Sequence, residues 1–333
     1  MHGNIQKGVR FGAALALALA LCATAALAAE TGGKRLVPVG HTVGVKLFSR
    51  GVVVVKLPEG STPARTCGLK TGDVIEACGG QTVTSTEQFQ SLLQENGTDT
   101  TELSVKRQGS PVTLSVEPER NEEGACCIGA WVRDSMAGIG TVTYYDPDSN
   151  TFGALGHGIT DGDTAALMPF GNGAILPSTV KAVKKGSCGS AGELRGEFDL
   201  TEELGQLYAN TGCGIFGTLN AACSLAEGET LPVGDASEGP AVIRSNISGD
   251  EVQEYAVEIL KTIPDAPDGR ELVISVTDPE LIAATGGIVQ GMSGSPILQN
   301  GQLVGAVTHV LLSDPTKGYG ISVETMLNTG AMT

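Results

Sequence analysis

The apolar positions of this chain fall into three regimes. Residues 11–29 are unbroken apolar or small. From Val43 onward the apolar positions come instead as short runs, at 43–47, 51–57, 103–106 and 112–116, set between turn residues. Runs of that length predict β-strands. Among them, Thr84 or Ser85 precedes a segment ending at Leu93 that reads as a short capped helix. Beyond Ile128, short strands separated by Gly, Pro, Asn and Asp recur to the end, with one closing helical turn predicted at 323–327. That rhythm predicts an antiparallel barrel or sandwich.

Composition narrows the function more than the fold. With 333 residues, 41% of them apolar, there is room for two domains, each with its own core. Lys and Arg number 21 against 37 Asp and Glu, a net charge of −16. This excludes a nucleic-acid partner, because phosphate binding rests on cationic side chains. Solubility is a sufficient account of the acidity.

Lys7 and Arg10 lie at the start of the long apolar run and Ala26-Leu27-Ala28 ends it, which predicts an export signal over 1–29 and a polar linker at 30–35. The run is also long enough to span a bilayer, so secreted and membrane-anchored forms both stay open. Export permits disulfides, and Cys67 with Cys78 or Cys213 with Cys223 are candidate pairs. Small buried hydrophobes are the plainer reading of these cysteines and of Cys126, Cys127 and Cys188. No Cys or His spacing points to a metal, and no cofactor is expected.

The segment 36–118 holds the first four strands, the helix and the run Cys67-Gly68-Leu69-Lys70-Thr71-Gly72-Asp73-Val74-Ile75. In that pattern it resembles a PDZ domain. The resemblance implies that the loop Gly40-His41-Thr42-Val43-Gly44 takes a peptide C-terminus, with the following strand edge receiving the peptide by β-augmentation. Such a domain either delivers substrate or holds an enzyme inactive.

The candidate chemistry lies in 119–333. In Gly291-Met292-Ser293-Gly294-Ser295-Pro296 a serine sits in a glycine-framed turn between two predicted strands. An ordinary turn would look alike, but such a loop also brings a nucleophile and converging amides together. His157, in Gly156-His157-Gly158, is framed by glycines directly after a predicted strand, as a general base needs if substrate is to pass beside it. A serine hydroxyl becomes a nucleophile when an imidazole, itself oriented by a carboxylate or carbonyl, takes its proton.

The serine loop resembles that of chymotrypsin-like enzymes, and 303–309 resembles the strand that follows it there. A closer resemblance is to the stage IV sporulation protein B peptidases. It is carried by Trp131-Val132-Arg133-Asp134-Ser135, the run at His157, Thr285-Gly286-Gly287-Ile288-Val289-Gln290 ahead of the serine, and Asp314-Pro315-Thr316-Lys317-Gly318-Tyr319-Gly320. The fold implied is mainly β, a PDZ-like domain at 36–118 followed by a chymotrypsin-like double β-barrel at 119–333. The implied activity is that of a serine endopeptidase that crosses a membrane, processes itself, and cuts a membrane-tethered regulatory protein between forespore and mother cell. By resemblance Ser293 is the nucleophile, His157 the base and Asp278 the acid, with the amides of Gly291 and Ser293 as oxyanion hole. Asp199 and Asp161 are alternatives for the acid, and Asp278 also reads as the N-cap of a helical turn at 279–284. His309 reads as a strand residue that could line the pocket. A catalytically silent peptide-binding scaffold and an exported quality-control protease are the rival functions.

Overall fold

Two long strands set the architecture. The computed structural model describes residues 33–220 and 223–332, and the export signal expected over 1–29 lies outside them. After β1 (Arg35–Pro38), β2 runs through Thr42–Lys56. The chain then makes an excursion through β3 (Val74–Cys78), α1 (Thr86–Asn96), β4 (Thr101–Arg107) and β5 (Ser110–Val116). It returns as β6 (Trp131–Asp146), antiparallel to β2 from Lys56↔Trp131 to Thr42↔Thr141. The PDZ-like module is therefore built at the tip of a long β-hairpin.

Composition explains where the hairpin changes hands. The run Val52 to Val55 does not alternate because both of its faces are covered: Val52 and Val54 pack with Ile75, Phe89, Leu93 and Leu103 in the module. Val53 and Val55 pack with Leu47, Val74 and Met168 on the other side. Each such valine contributes about 1.5–3 kcal/mol of burial. At the crossing, Gly51 has φ +84° and a Cβ there would meet the Ile75 carbonyl oxygen at 2.5 Å, so no other residue fits the bend. Ser85 caps α1 by accepting from the Gln88 amide at 3.1 Å. The first turn of α1 is held to β6, because the Asp134 carboxylate accepts from the Thr86 amide at 2.8 Å and its hydroxyl at 3.0 Å. Burial raises the pKa of Asp134, but those bonds outweigh it and the net direction is down.

The first half of β2 and the part of β6 from Ser135 onward belong to a barrel. β7 (Thr151–Ala154) pairs with β6, and β8 (Phe170–Lys184) with the free side of β2. β9 (Glu193–Phe198) hangs on β8, while β10 (Gly205–Thr211) and β11 (Gly214–Leu219) complete the ring between β8 and β7. A second closed barrel follows from β12 (Gly239–Ser245), β13 (Gln253–Thr262), β14 (Leu272–Val276), β15 (Pro296–Gln299), β16 (Gln302–Val310) and β17 (Lys317–Ser322). Helix α2 (Pro279–Thr285) lies between β14 and the serine loop. The closing turn is a longer helix than the sequence suggests, α3 (Val323–Ala331), capped by Ser322. The mainly β, double-barrel architecture is the one the sequence implies.

One expectation is corrected. The loop Gly40 to Gly44 and the strand after it do not receive a peptide. Val43 and Gly44 pair with β6 on one side and β8 on the other, and the Thr42 amide donates to the Asn246 carboxamide oxygen at 2.6 Å, so no free edge remains. His41 only reaches its neighbour, the Thr42 carbonyl oxygen, at 2.8 Å. Of the two readings of the cysteines the structure takes the unpaired one: Cys67, Cys78, Cys126, Cys127, Cys188, Cys213 and Cys223 are free thiols, with Cys78, Cys126 and Cys223 buried.

Candidate active site

Ser293 and His157 come from different barrels and line one cleft of about 880 Å³. The serine turn is anchored from the first barrel by a single residue of β6. The Thr141 amide donates to the Ser293 carbonyl at 2.9 Å, and the Thr141 hydroxyl to the Gly291 carbonyl at 2.8 Å. Met292 is driven into the core of the second barrel with no exposed surface. Gly294 has φ +97°, and a Cβ there would collide with the Thr141 carbonyl oxygen and the Leu155 amide nitrogen. Its amide donates to the Val307 carbonyl at 2.7 Å. No acceptor among the described residues takes the amides of Gly291 or Ser293. Two unclaimed donors flanking a serine are what an oxyanion requires.

His157 is presented by a tight bend in which Leu155 and Gly156 both have positive φ, 69° and 68°. The imidazole Nδ1 lies 2.9 Å from the Gly158 carbonyl oxygen, which fixes the tautomer with its proton on Nδ1 and leaves Nε2 as the acceptor. Burial lowers the pKa of His157, partly offset by that carbonyl. The Ser293 hydroxyl donates to the Thr308 carbonyl at 2.7 Å, so in this resting geometry it is bonded to a main-chain oxygen rather than to the base.

The acid is where sequence and structure part. Asp278 is the N-cap of α2: it accepts from the Glu280 amide at 2.9 Å, the Leu281 amide at 3.0 Å and the Ala256 amide at 3.2 Å. Those bonds, led by Leu281, lower its pKa, and the residue takes no part in the cleft lining. Asp161 is bound to Arg133 and to the amides of Asp163 and Thr164, and Asp199 to Thr201, so neither alternative reaches His157. Among the described residues the orienting group of His157 is a carbonyl.

His309 holds the place beside the base. Its ring centroid is 4.9 Å from that of His157, tilted by 39°. Desolvation by the cleft walls, then the proximity of His157 and Arg270, push its pKa down to about 4, although its outer face is open to solvent. Asp268 and Glu193 are the carboxylates of the cleft, and Asp268 leans on Arg270 with 3.5 Å between Oδ2 and Nε. Asp268 carries no signal in the sequence, because it sits in a turn with Pro267 and Gly269, a setting that marks a loop and nothing more. The remainder of the wall is apolar, including Ile139, Leu155, Leu167, Leu194 and Val289.

Similar proteins are found for both parts. A family model described as SpoIVB peptidase S55 matches residues 124–327, and one described as a PDZ domain matches residues 37–117. Among curated proteins, the serine protease HTRA1 of Xenopus tropicalis is 35% identical over 74 residues, 22% of this chain and 15% of that protein's own length. Among solved structures, the PDZ domain of an SdrC-like protein from Listeria monocytogenes is 21% identical, with 25% of this chain and 87% of that chain covered and a TM-score of 0.23. The active form of the Rv3671c protease from M. tuberculosis is 15% identical over 60% of this chain and 74% of that chain, with a TM-score of 0.31.

Proposed function

The chain belongs to the SpoIVB peptidase S55 family, and from that membership we propose that it is an exported endopeptidase that cleaves a membrane-associated regulatory protein in sporulation signalling. It is a serine peptidase with a PDZ domain. One observation supports the chemistry assigned to it: Ser293 and His157, from separate barrels, share a cleft. In the reading we adopt, Ser293 rotates away from the Thr308 carbonyl and its Oγ attacks the scissile carbonyl carbon while His157 Nε2 takes the proton. The amides of Gly291 and Ser293 hold the oxyanion, and His157 returns the proton to the leaving amine. Water then repeats the sequence on the acyl-enzyme and frees Ser293. Export rests on the run at 11–29, and it places the substrate beyond the cytoplasmic membrane, tethered and within reach of an enzyme that is secreted or anchored.

Ser293→Ala lowers kcat on the order of a millionfold and removes labelling by a serine-directed phosphonate. Labelling that persists in this variant removes Ser293 as nucleophile, whereas an unmutated chain that takes no label is a silent scaffold. Fractionation of sporulating cells that finds the protein only in the cytoplasm removes the export reading.

A further inference from the structure

A second cleft, of about 730 Å³, opens between the module and the first barrel. Its module wall is the turn around Thr71 and the β4–β5 hairpin, its floor is Arg50 at the β2 crossing, and its outer wall is the loop from Thr164 to Phe170. That loop also faces the catalytic cleft: Leu167, an exposed leucine, lines both spaces, so they meet over one side chain.

The charge there runs against that of the chain. Arg50, Lys70 and Lys106 line the cleft, all exposed, and none has an ionic partner among the described residues. Arg107 is spent on Asp73, both of whose carboxylate oxygens it meets at 2.7 Å, which leaves Glu76 as the cleft's other carboxylate. A protein of net charge −16 thus gathers three cations without an ionic partner, against the one free carboxylate of Glu76, in a hollow that shares Leu167 with its catalytic cleft. Packing does not call for them, since an exposed cation of this kind adds little stability. A concave wall of one sign focuses the field and raises the local concentration of the opposite charge.

We propose that this cleft is a substrate subsite for an acidic segment of the polypeptide, seated on Arg50, Lys70 and Lys106 while the scissile bond lies at Ser293. The inference rests on the peptidase reading of Ser293, and it names the class of substrate: an extended chain with an apolar stretch at the cleavage site and Asp or Glu displaced to one side.

Binding to the full chain carrying Ser293→Ala tests it without calling on hydrolysis, so its failure is separate from failure of the peptidase reading. The probes are fluorescein-labelled peptides with one apolar core and a run of glutamates at the N-terminal or the C-terminal end, each beside its glutamine counterpart. At low salt one glutamate peptide binds about tenfold more tightly than its glutamine counterpart, and added salt erases the difference. Arg50→Ala, Lys70→Ala and Lys106→Ala together abolish the preference while the glutamine peptides bind as before, and Arg50→Lys, Lys70→Arg and Lys106→Arg together restore it. Equal binding of glutamate and glutamine peptides at both ends overturns the subsite, as does a preference that survives the three alanines.

Discussion

At the scale of single residues, the site works by restricting what each polar group can do. His157 has its Nδ1 held by the Gly158 carbonyl, so the imidazole keeps its orientation without a carboxylate, and burial lowers its pKa below the ordinary 6.5. The base must be neutral to accept the Ser293 proton, and a lowered pKa keeps it neutral into mildly acidic solution. The groups facing it, His309 with Arg270 and Asp268 behind, do not reverse that direction, because His309 itself stays neutral until about pH 4. The acid limb of kcat/KM on a short peptide therefore has its midpoint below pH 6.5, and a midpoint at or above that value contradicts the burial argument. Asp278 makes a separate prediction. As an N-cap, its replacement by alanine costs about 1 kcal/mol of stability, whereas Asp278→Asn, which caps equally well, leaves the urea midpoint in place. Activity of the asparagine variant that tracks its stability is the outcome a cap entails, and collapse of activity at full stability would restore Asp278 to the role of acid.

Among the elements, β6 connects the parts most directly. One end pairs with the module strand at Val53–Lys56 and holds the start of α1 through Asp134, while further along Thr141 carries two carbonyls of the serine turn. Thr141→Val keeps the shape and removes the hydroxyl, leaving the buried Gly291 carbonyl unpaired at a cost of about 1–3 kcal/mol. Because the Gly291–Met292 peptide lies between the two oxyanion amides, releasing it displaces both, and kcat falls on the order of tenfold to a hundredfold with KM little changed. A drop in stability with unchanged kcat would confine Thr141 to packing. The strands themselves were legible in the sequence, since short apolar runs between turn residues report β-structure whatever they pair with. The serine turn and the framed histidine were legible too, because glycine is required where the backbone of one barrel meets that of the other, as Gly294 meets Thr141. Pairing partners were not legible: nothing local to residues 42–49 distinguishes a peptide-receiving edge from a strand closed on both sides, and the deciding contacts come from more than eighty residues away. The position of His309 was equally hidden, for it depends on how two barrels meet.

For the molecule as a whole, the topology decides what the module can be. Residues 42–49 look like the opening of the PDZ-like segment, yet Val43 and Val45 are core residues of the first barrel, packed with Val142, Phe152, Ile175 and Ile215. Deleting 36–118, the obvious way to ask whether the module restrains the enzyme, therefore takes a strand out of that barrel and strips the partner from Ser135 to Thr141 of β6. We expect that variant to be insoluble or molten, judged by a lost cooperative urea transition, and its inactivity to say nothing about regulation. The informative deletion follows the hairpin. Removing 49–134 and joining Phe48 to Ser135 through a two-residue Asn-Gly turn leaves Phe48 opposite Ser135, keeps both edges of β2 paired in the barrel, and removes the module together with its own core. That chain is expected to fold cooperatively and to retain phosphonate labelling at Ser293. A folded, active product from the 36–118 deletion would contradict the hairpin insertion, because the first barrel would then have closed without β2.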